Sequence, residues 1–243
     1  MGVRGSAPPS GTGVRLLPRP PAVVAPGAVH LPGWLLPAEQ RRLAEDCNRW
    51  SDAAGGFRCP RMPNGTSMSV GIACLGWHWY PYRYSRTVDD GDGRLVPPFP
   101  GELGELARRV VAEAARLEPA ILVGLEGGVD AYDPDVALVN RYLPGSRMGL
   151  HADREEPSPA PVVSLSLGAA ARFRFGNAER RGPPYTDVVL ESGDAFVFGG
   201  PARRSFHGVP RLLGPAASDG LLDEAIVPAG VRLNVTVRQT GLS

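Results

Sequence analysis

Residues 231–238 read VRLNVTVR. Val231, Leu233, Val235 and Val237 alternate with Arg232, Asn234, Thr236 and Arg238, and a period of two predicts a strand with one buried face. The other face carries two guanidiniums and two neutral hydrogen bonders. It is either a solvated edge or the wall of a pocket that needs two cations. Similar runs surround it: VALVNRY from residue 136, RMGLH from 147, VVSLSL from 162, ARFRF from 171, TDVVLE from 186 and AFVFGG from 195. They are separated by PGS, Gly-Asn, SGD and GGP, which are turn compositions. Upstream, PAEQRRLAEDCNRW (37–50) has proline at a first helical position, and GELGELARRVVAEAARL (101–117) sets Leu103, Leu106, Val110, Val111 and Ala114 on one side. Both spacings predict helices. Helices followed by many short strands predict an α+β chain or a β-sandwich with helices packed on its outside.

The length of 243 residues suits one domain. Hydrophobic residues make up 43% and charged residues 21%, a globular balance, and no apolar run is long enough to span a bilayer. Residues 1–27 are rich in proline and glycine and are expected to be a disordered or loosely draped tail. The tail lacks the apolar core of a secretory signal, and its Met-Gly start with Ser6 matches only part of a myristoylation pattern. Cys47, Cys59 and Cys74 are an odd set at unrelated spacings, so neither a disulfide framework nor a zinc knuckle is expected, which suits a reducing cytosol. Every basic residue is arginine, and the net charge of +1 argues neither for nor against a nucleic-acid partner. Locally, residues 171–211 hold seven arginines against four acids, an excess that meets either solvent or phosphates.

The histidines are at 30, 78, 151 and 207. His151 and Asp153 are two apart, so on a strand they project from one face and converge. His-x-Asp plus one distant histidine is the ligand set of the 2-His-1-carboxylate non-haem iron site. His207 follows the strand-like AFVFGG and sits among turn residues, which makes it the natural third ligand, with His30 and His78 as rivals. The opening strand bears on this choice. A metal of this kind that uses 2-oxoglutarate needs a cation for the far carboxylate, and arginine's planar fork matches a carboxylate. NRY at 140–142 sets Asn140 and Tyr142 on one face of a second strand.

Taken together, LVNRYLPGSRMGLHADREEP, PVVSLSLGAAARFRFG, LESGDAFVFGG, FHGV and VRLNVTVRQTG closely resemble the AlkB family of Fe(II)/2-oxoglutarate-dependent dioxygenases, in its bacterial DNA-repair branch. The similarity is tightest over 136–239 and looser through MPNGTSMSVGIACLGW and PYRYS. It implies a double-stranded β-helix (jelly roll), with a dioxygenase domain over 28–243, a nucleotide-recognition lid over about 60–98 and a catalytic core over about 136–239. It implies that His151, Asp153 and His207 bind Fe(II). Arg232 would pair with the distal carboxylate of 2-oxoglutarate, helped by Asn140 and Tyr142, while Asn234 and Arg238 would support the remaining cosubstrate oxygens. Thr236 is read as a packing hydroxyl.

On the substrate side, the same resemblance sets Trp77 against a flipped-out base with His151 opposite and puts Met68 nearby. Tyr82 and Tyr84 would approach the nucleotide backbone, and Glu155 the exocyclic amine. The implied reaction uses O2 and 2-oxoglutarate, yields succinate and CO2, and demethylates 1-methyladenine or 3-methylcytosine in DNA with release of formaldehyde. Methylated RNA, tRNA or a small molecule is the alternative substrate. The implied partner is single-stranded alkylated DNA, with RNA as the alternative, and the implied protein is a cytoplasmic monomer that does not engage a membrane. Phe198 stands where the family commonly has tryptophan, and 212–229 is longer than the family's usual link.

Overall fold

The computed structural model describes residues 19–214 and 222–243. In chain order the elements are β1 (Ala22–Ala25), β2 (Ala28–Leu31), α1 (Pro37–Ala53), β3 (Val70–Leu75), β4 (His78–Tyr80), β5 (Arg83–Ser85), α2 (Gly101–Leu117), β6 (Val136–Tyr142), β7 (Met148–His151), β8 (Val162–Gly168), β9 (Ala171–Phe175), β10 (Thr186–Leu190), β11 (Ala195–Phe198), β12 (His207–Leu212) and β13 (Arg232–Arg238). Seven strands form one sheet in the order β1-β2-β11-β8-β13-β6-β3, and four form a second in the order β10-β9-β12-β7. Every pairing is antiparallel. The helix at 101–117 has its expected bounds, and α1 runs past residue 50 to Ala53. Leu36 N–H donates to Glu39 Oε2 at 2.9 Å, which closes the start of α1 behind Pro37.

Two cores divide the strand residues by parity. Leu233, Val235 and Val237 of β13 join Val163, Leu165 and Leu167 of β8 and Ala137 and Val139 of β6 on the side covered by the helices. Leu43 and Cys47 of α1 and Leu103, Ala107, Val110 and Ala114 of α2 fill that layer. The opposite face of the large sheet meets the small sheet through Tyr142, Val162, Phe173, Phe175, Phe196 and Phe198. Phe173 meets Phe196 edge-on at 4.8 Å, and Phe198 lies 4.9 Å from the His207 ring. Two antiparallel sheets facing each other over an aromatic core, with helices outside one of them, make up the expected jelly roll. On β9 the alternation ARFRF buries its phenylalanines and turns Arg172 and Arg174 outward to Asp187 of β10.

The expected tail is shorter than residues 1–27. Ala22–Ala25 pairs with β2 and extends the large sheet, with Pro26-Gly27 as the turn and Gly27 at a φ of +79°. Residues 1–18 of that tail, and 215–221 of the long 212–229 link, lie outside the described residues. Arg19 is tied to the fold by a two-pronged contact with Asp194, at 2.8 and 2.5 Å. Asp194 also accepts from Gly33 N–H at 2.8 Å and Glu191 N–H at 2.9 Å and lies 2.9 Å from His30 Nε2. The lid range divides too. Val70–Leu75 is the edge strand of the large sheet, and the part that stands apart is the β4–β5 hairpin with the loop after it. Gly76 makes that departure with φ +78°, where a Cβ would lie 1.9 Å from Asp135 O. Among the described residues no helix is long and apolar enough to cross a membrane, and the three cysteines are free thiols.

Asp194 is wholly buried, yet its hydrogen bonds from His30 and Arg19 outweigh burial and hold its carboxyl below the usual range. Asp194→Ala leaves several buried donors unsatisfied and should cost about 3 kcal/mol in urea unfolding near neutral pH. A depressed carboxylate contributes stability above its unfolded value of about 4, and that contribution is lost as pH falls through the folded value. The gap between parent and variant should therefore narrow below about pH 4. A gap constant from neutral pH to pH 3 would reject the role given to Asp194.

Candidate active site

Antiparallel pairing of β12 with β7 sets His207 directly opposite His151. Their rings are 4.4 Å apart between centroids. Asp153, just past β7, is 3.7 Å from His151 Nε2 through Oδ1 and 3.8 Å from His207 Nε2 through Oδ2. One ligand atom from each residue lies within 4.8 Å of the others. Each Nδ1 is 3.0 Å from a backbone carbonyl, Gly149 O for His151 and Ser205 O for His207. A carbonyl only accepts, so each neutral ring donates from Nδ1 and keeps the Nε2 lone pair for the centre. Burial, with the neighbouring His151, pushes His207 down to about 4, which keeps that ring neutral. Three converging donor atoms on two adjacent strands can hold a divalent metal. The rivals are spoken for, since His30 faces Asp194 and His78 is 2.6 Å from Asp90 Oδ1.

The face of β13 that carries Arg232, Asn234, Thr236 and Arg238 points between the sheets, not to solvent. Arg232 is 1% exposed. Its Nη2 donates to Ser166 Oγ at 2.8 Å, while among the described residues Nε and Nη1 have no partner. A buried guanidinium with two idle donors fits a carboxylate. Tyr142 sits opposite Arg232 in register, and burial pushes its hydroxyl up to about 12. Asn234 and Asn140 also face each other, and their amide N–H groups donate within the protein. Asn234 Nδ2 donates to Ser164 Oγ at 2.7 Å and Leu165 O at 2.9 Å, and Asn140 Nδ2 donates to Asn234 Oδ1 at 3.2 Å. Thr236 is more than packing, because its hydroxyl donates to Asn234 Oδ1 at 3.0 Å.

At the other end of β13, Arg238 Nη2 lies 2.9 Å from Asp153 Oδ2, an ion pair whose angle is not that of a hydrogen bond. Burial would raise Asp153, but Arg238 and then the two histidines hold it well below the usual carboxylate range. Arg238 Nη1 donates to Glu156 Oε1 at 2.9 Å, and Tyr84 O–H donates to the same oxygen. Arg203 Nη2 reaches Glu156 Oε2 at 3.2 Å, and its Nη1 donates to Asp153 O at 3.1 Å. Glu156, 2% exposed, was not singled out in the sequence. The signal lay in the tandem Glu155-Glu156, which does not say which of the two turns inward.

The substrate-side expectations divide. Trp77 is buried among Ile72, Cys74, Val136 and Leu138, with Met68 packed against that cluster. Its indole N–H donates to Asp135 Oδ2 at 3.0 Å, and the Arg86 guanidinium lies 3.5 Å above its ring. Among the described residues it makes no ring contact with His151. Tyr82 is 65% exposed at the hairpin tip, at a φ of +71° that costs a non-glycine residue strain. Tyr84 does not reach outward, because Glu156 and Arg238 hold its hydroxyl. Glu155 is half-exposed, and its carboxylate takes only the Arg154 N–H, at 3.1 Å.

Comparison with known proteins matches residues 27–238 to the 2OG-Fe(II) oxygenase superfamily. The chain is 36% identical over 233 residues to an alpha-ketoglutarate-dependent dioxygenase AlkB homolog of Caulobacter vibrioides, covering 93% of each chain. It is 34% identical over 226 residues to the DNA N(6)-methyladenine demethylase ALKBH1C of Arabidopsis thaliana. That match takes 89% of this chain and 49% of the other, so the chain spans about half the length of this plant relative. The solved structure of OsALKBH1 superposes with a TM-score of 0.77 at 32% identity, over 90% of this chain and 100% of that one.

Two substitutions separate the halves of the site. His207→Ala should weaken Co(II) binding, followed by its visible absorption, at least ~100-fold by removing one of three ligands. Arg232→Ala should leave Co(II) affinity within a few-fold and abolish measurable 2-oxoglutarate binding by the Co(II)-loaded protein. Normal 2-oxoglutarate affinity in Arg232→Ala would reduce that face of β13 to structural filling.

Proposed function

The chain belongs to the AlkB family within the 2OG-Fe(II) oxygenase superfamily, and on that premise we propose that it demethylates N-alkylated bases in DNA by direct reversal. The bases are of the 1-methyladenine and 3-methylcytosine type. The observation that carries the reaction class is the strand with an unsatisfied buried arginine at one end and a metal-side arginine at the other. The substrate class is supported by relatives named as DNA demethylases and by bacterial AlkB proteins that match over most of their length.

His151, Asp153 and His207 hold Fe(II), and the idle donors of Arg232, beside Tyr142 and Ser166, take the distal carboxylate of 2-oxoglutarate. When bound, iron and 2-oxoglutarate supply O2 activation coupled to decarboxylation to succinate and CO2, and the substrate N-methyl group leaves as formaldehyde after hydroxylation. Asn140, Asn234 and Thr236 fix one another's hydrogen bonds and so set the shape of the cosubstrate wall. Arg238 keeps Asp153 ionised and aimed. Trp77 and Met68 back the pocket for a base taken out of its stack, from the apolar cluster behind it. Tyr82 and Glu155 stand at its rim, and Tyr84 acts from within by holding Glu156. We place the enzyme in the cytoplasm as a monomer acting on single-stranded DNA, a reading that its free thiols suit.

Formaldehyde and succinate should appear in equal amounts from single-stranded oligonucleotides carrying 1-methyladenine or 3-methylcytosine, and formaldehyde should vanish without 2-oxoglutarate. Oligonucleotides with N6-methyladenine, methylated tRNA and free nucleosides are the comparison arms. If none of the DNA probes stimulated turnover while tRNA or a nucleoside did, DNA repair would be the wrong reading.

A further inference from the structure

We propose that Met148 is an oxidation site that governs cosubstrate binding: its thioether holds the Tyr142 hydroxyl loosely and yields it to a carboxylate, whereas its sulfoxide keeps it. This rests on the 2-oxoglutarate reading above and concerns a side chain outside the metal and cosubstrate set.

Tyr142 is 2% exposed, and its O–H donates to Met148 Sδ at 3.7 Å. Among the described residues that hydroxyl has no other partner. Tyr142 stands opposite Arg232 in register, so the hydroxyl and the idle guanidinium donors belong to one end of the pocket. A thioether sulfur is a weak acceptor, and a hydroxyl given to it is readily released. A carboxylate is a strong one. The thioether thus keeps a buried donor occupied without withholding it from the cosubstrate.

Met148 is half-buried, between exposed Arg147 and Gly149. β7 is the edge of the small sheet, paired among the described residues with β12 alone, so a small reagent can approach from the open side while the sulfur touches the pocket. The backbone there has no room to shift. β12 passes so close that a Cβ on Gly208 would lie 2.7 Å from Met148 O and 2.8 Å from Gly149 O. Met68 packs in the cluster around Trp77, and Met62 lies in a turn where its N–H donates to Thr66 O at 2.8 Å. Among the described residues, Met148 is the methionine whose sulfur accepts a hydrogen bond.

The oxidant is hydrogen peroxide. The sulfur lone pair attacks one peroxide oxygen, the O–O bond breaks, and the sulfur loses two electrons while peroxide is reduced to water. The new S–O oxygen is a strong acceptor within reach of the hydroxyl that the sulfur now holds. That bond must then break before a carboxylate can take the hydroxyl, and 2-oxoglutarate binds more weakly. A methionine sulfoxide reductase reverses the step, with two thiols giving a disulfide and water. For a protein that activates O2, the effect is to turn the cosubstrate away while peroxide is present.

The test uses the full chain loaded with Zn(II), which has no redox chemistry of its own, and reads 2-oxoglutarate affinity by calorimetry and Met148 oxidation by peptide mass. Peroxide followed by dithiothreitol, which restores oxidised thiols but not methionine sulfoxide, should add one oxygen to Met148 and weaken binding about tenfold. Methionine sulfoxide reductase should restore it. Met148→Leu should bind about twofold more tightly than the parent and lose nothing to peroxide, since the hydroxyl has no acceptor to leave. Met148→Gln, with an amide oxygen in place of the sulfoxide's, should bind about tenfold more weakly without any peroxide. Tyr142→Phe should bind more weakly from the outset and respond to peroxide by less than about threefold. Met62→Leu should behave as the parent throughout.

Full oxidation of Met148 with affinity unchanged overturns the switch, and so does an equal loss in Met148→Leu, which puts the sensitive residue elsewhere. A Met148 that stays a thioether while Met62 is fully oxidised overturns it as well. A parent that binds no 2-oxoglutarate before treatment sinks the cosubstrate reading together with the switch. A parent that binds it and ignores oxidation sinks the switch alone.

Discussion

Two guanidiniums, Arg232 and Arg238, are buried on one strand of this fold. Removing an ionised group from water is costly unless opposite charges and hydrogen bonds replace the lost hydration. Arg238 has those replacements in Asp153, Glu156 and Tyr84, which together hold it well above its ordinary pKa despite burial. Among the described residues Arg232 has only Ser166 Oγ, and burial pulls its pKa down. The contrast is the argument for a ligand. A strand that satisfies one arginine with two carboxylates leaves the other's idle donors for an anion from outside.

The rest of the architecture secures that strand. β13 lies between β6 and β8, so its backbone is paired on both sides, and its valines and leucine lock into the helix-covered core. Neither arginine can escape to solvent without breaking both. The register carries chemistry as well: Arg232 faces Tyr142, Asn234 faces Asn140, and β8 adds Ser164 and Ser166 from the other side. A one-residue slip would send the arginines into the helix layer, so the hydrophobic pattern that fixes the fold also fixes the site.

The regular parts of this arrangement were legible in the sequence because they depend on period. Alternation in β13, β6 and β9 and the helical spacing of 101–117 are backbone facts that side chains must obey. The convergence of His151, Asp153 and His207 was legible in the His-x-Asp spacing and the distant histidine, although Asp153 lies just past β7 and not on it, and His207 opens β12. What was hidden depends on long-range pairing. Nothing local in DREEP says that Glu156 turns inward to two arginines while Glu155 stays half-exposed. The β1–β2 hairpin was masked by a proline-rich composition, although Pro26-Gly27 is a turn, because its stability comes from Gly199 N–H bonding to Gly27 O and from Arg19 reaching Asp194. The resemblance sets Tyr84 near a nucleotide backbone, and nothing local says that its hydroxyl bonds the buried Glu156 and Arg238.

The Tyr84 contact has a mechanical consequence. An isolated two-stranded hairpin is marginal in water, so β4–β5 must borrow its stability. Its ties include Tyr84 on Glu156 and Arg238, Arg86 over Trp77, and Arg58, which bonds Trp79 O and pairs with Asp90 at 2.7 Å. Only the first of these reaches the metal side. Lifting the hairpin there would take a hydrogen bond from Glu156, whose remaining partners are the two arginines that touch Asp153 through Oδ2 and its backbone carbonyl. The hairpin and the metal ligand thus share one buried charge network, and the hairpin's position and the aim of Asp153 cannot be set independently.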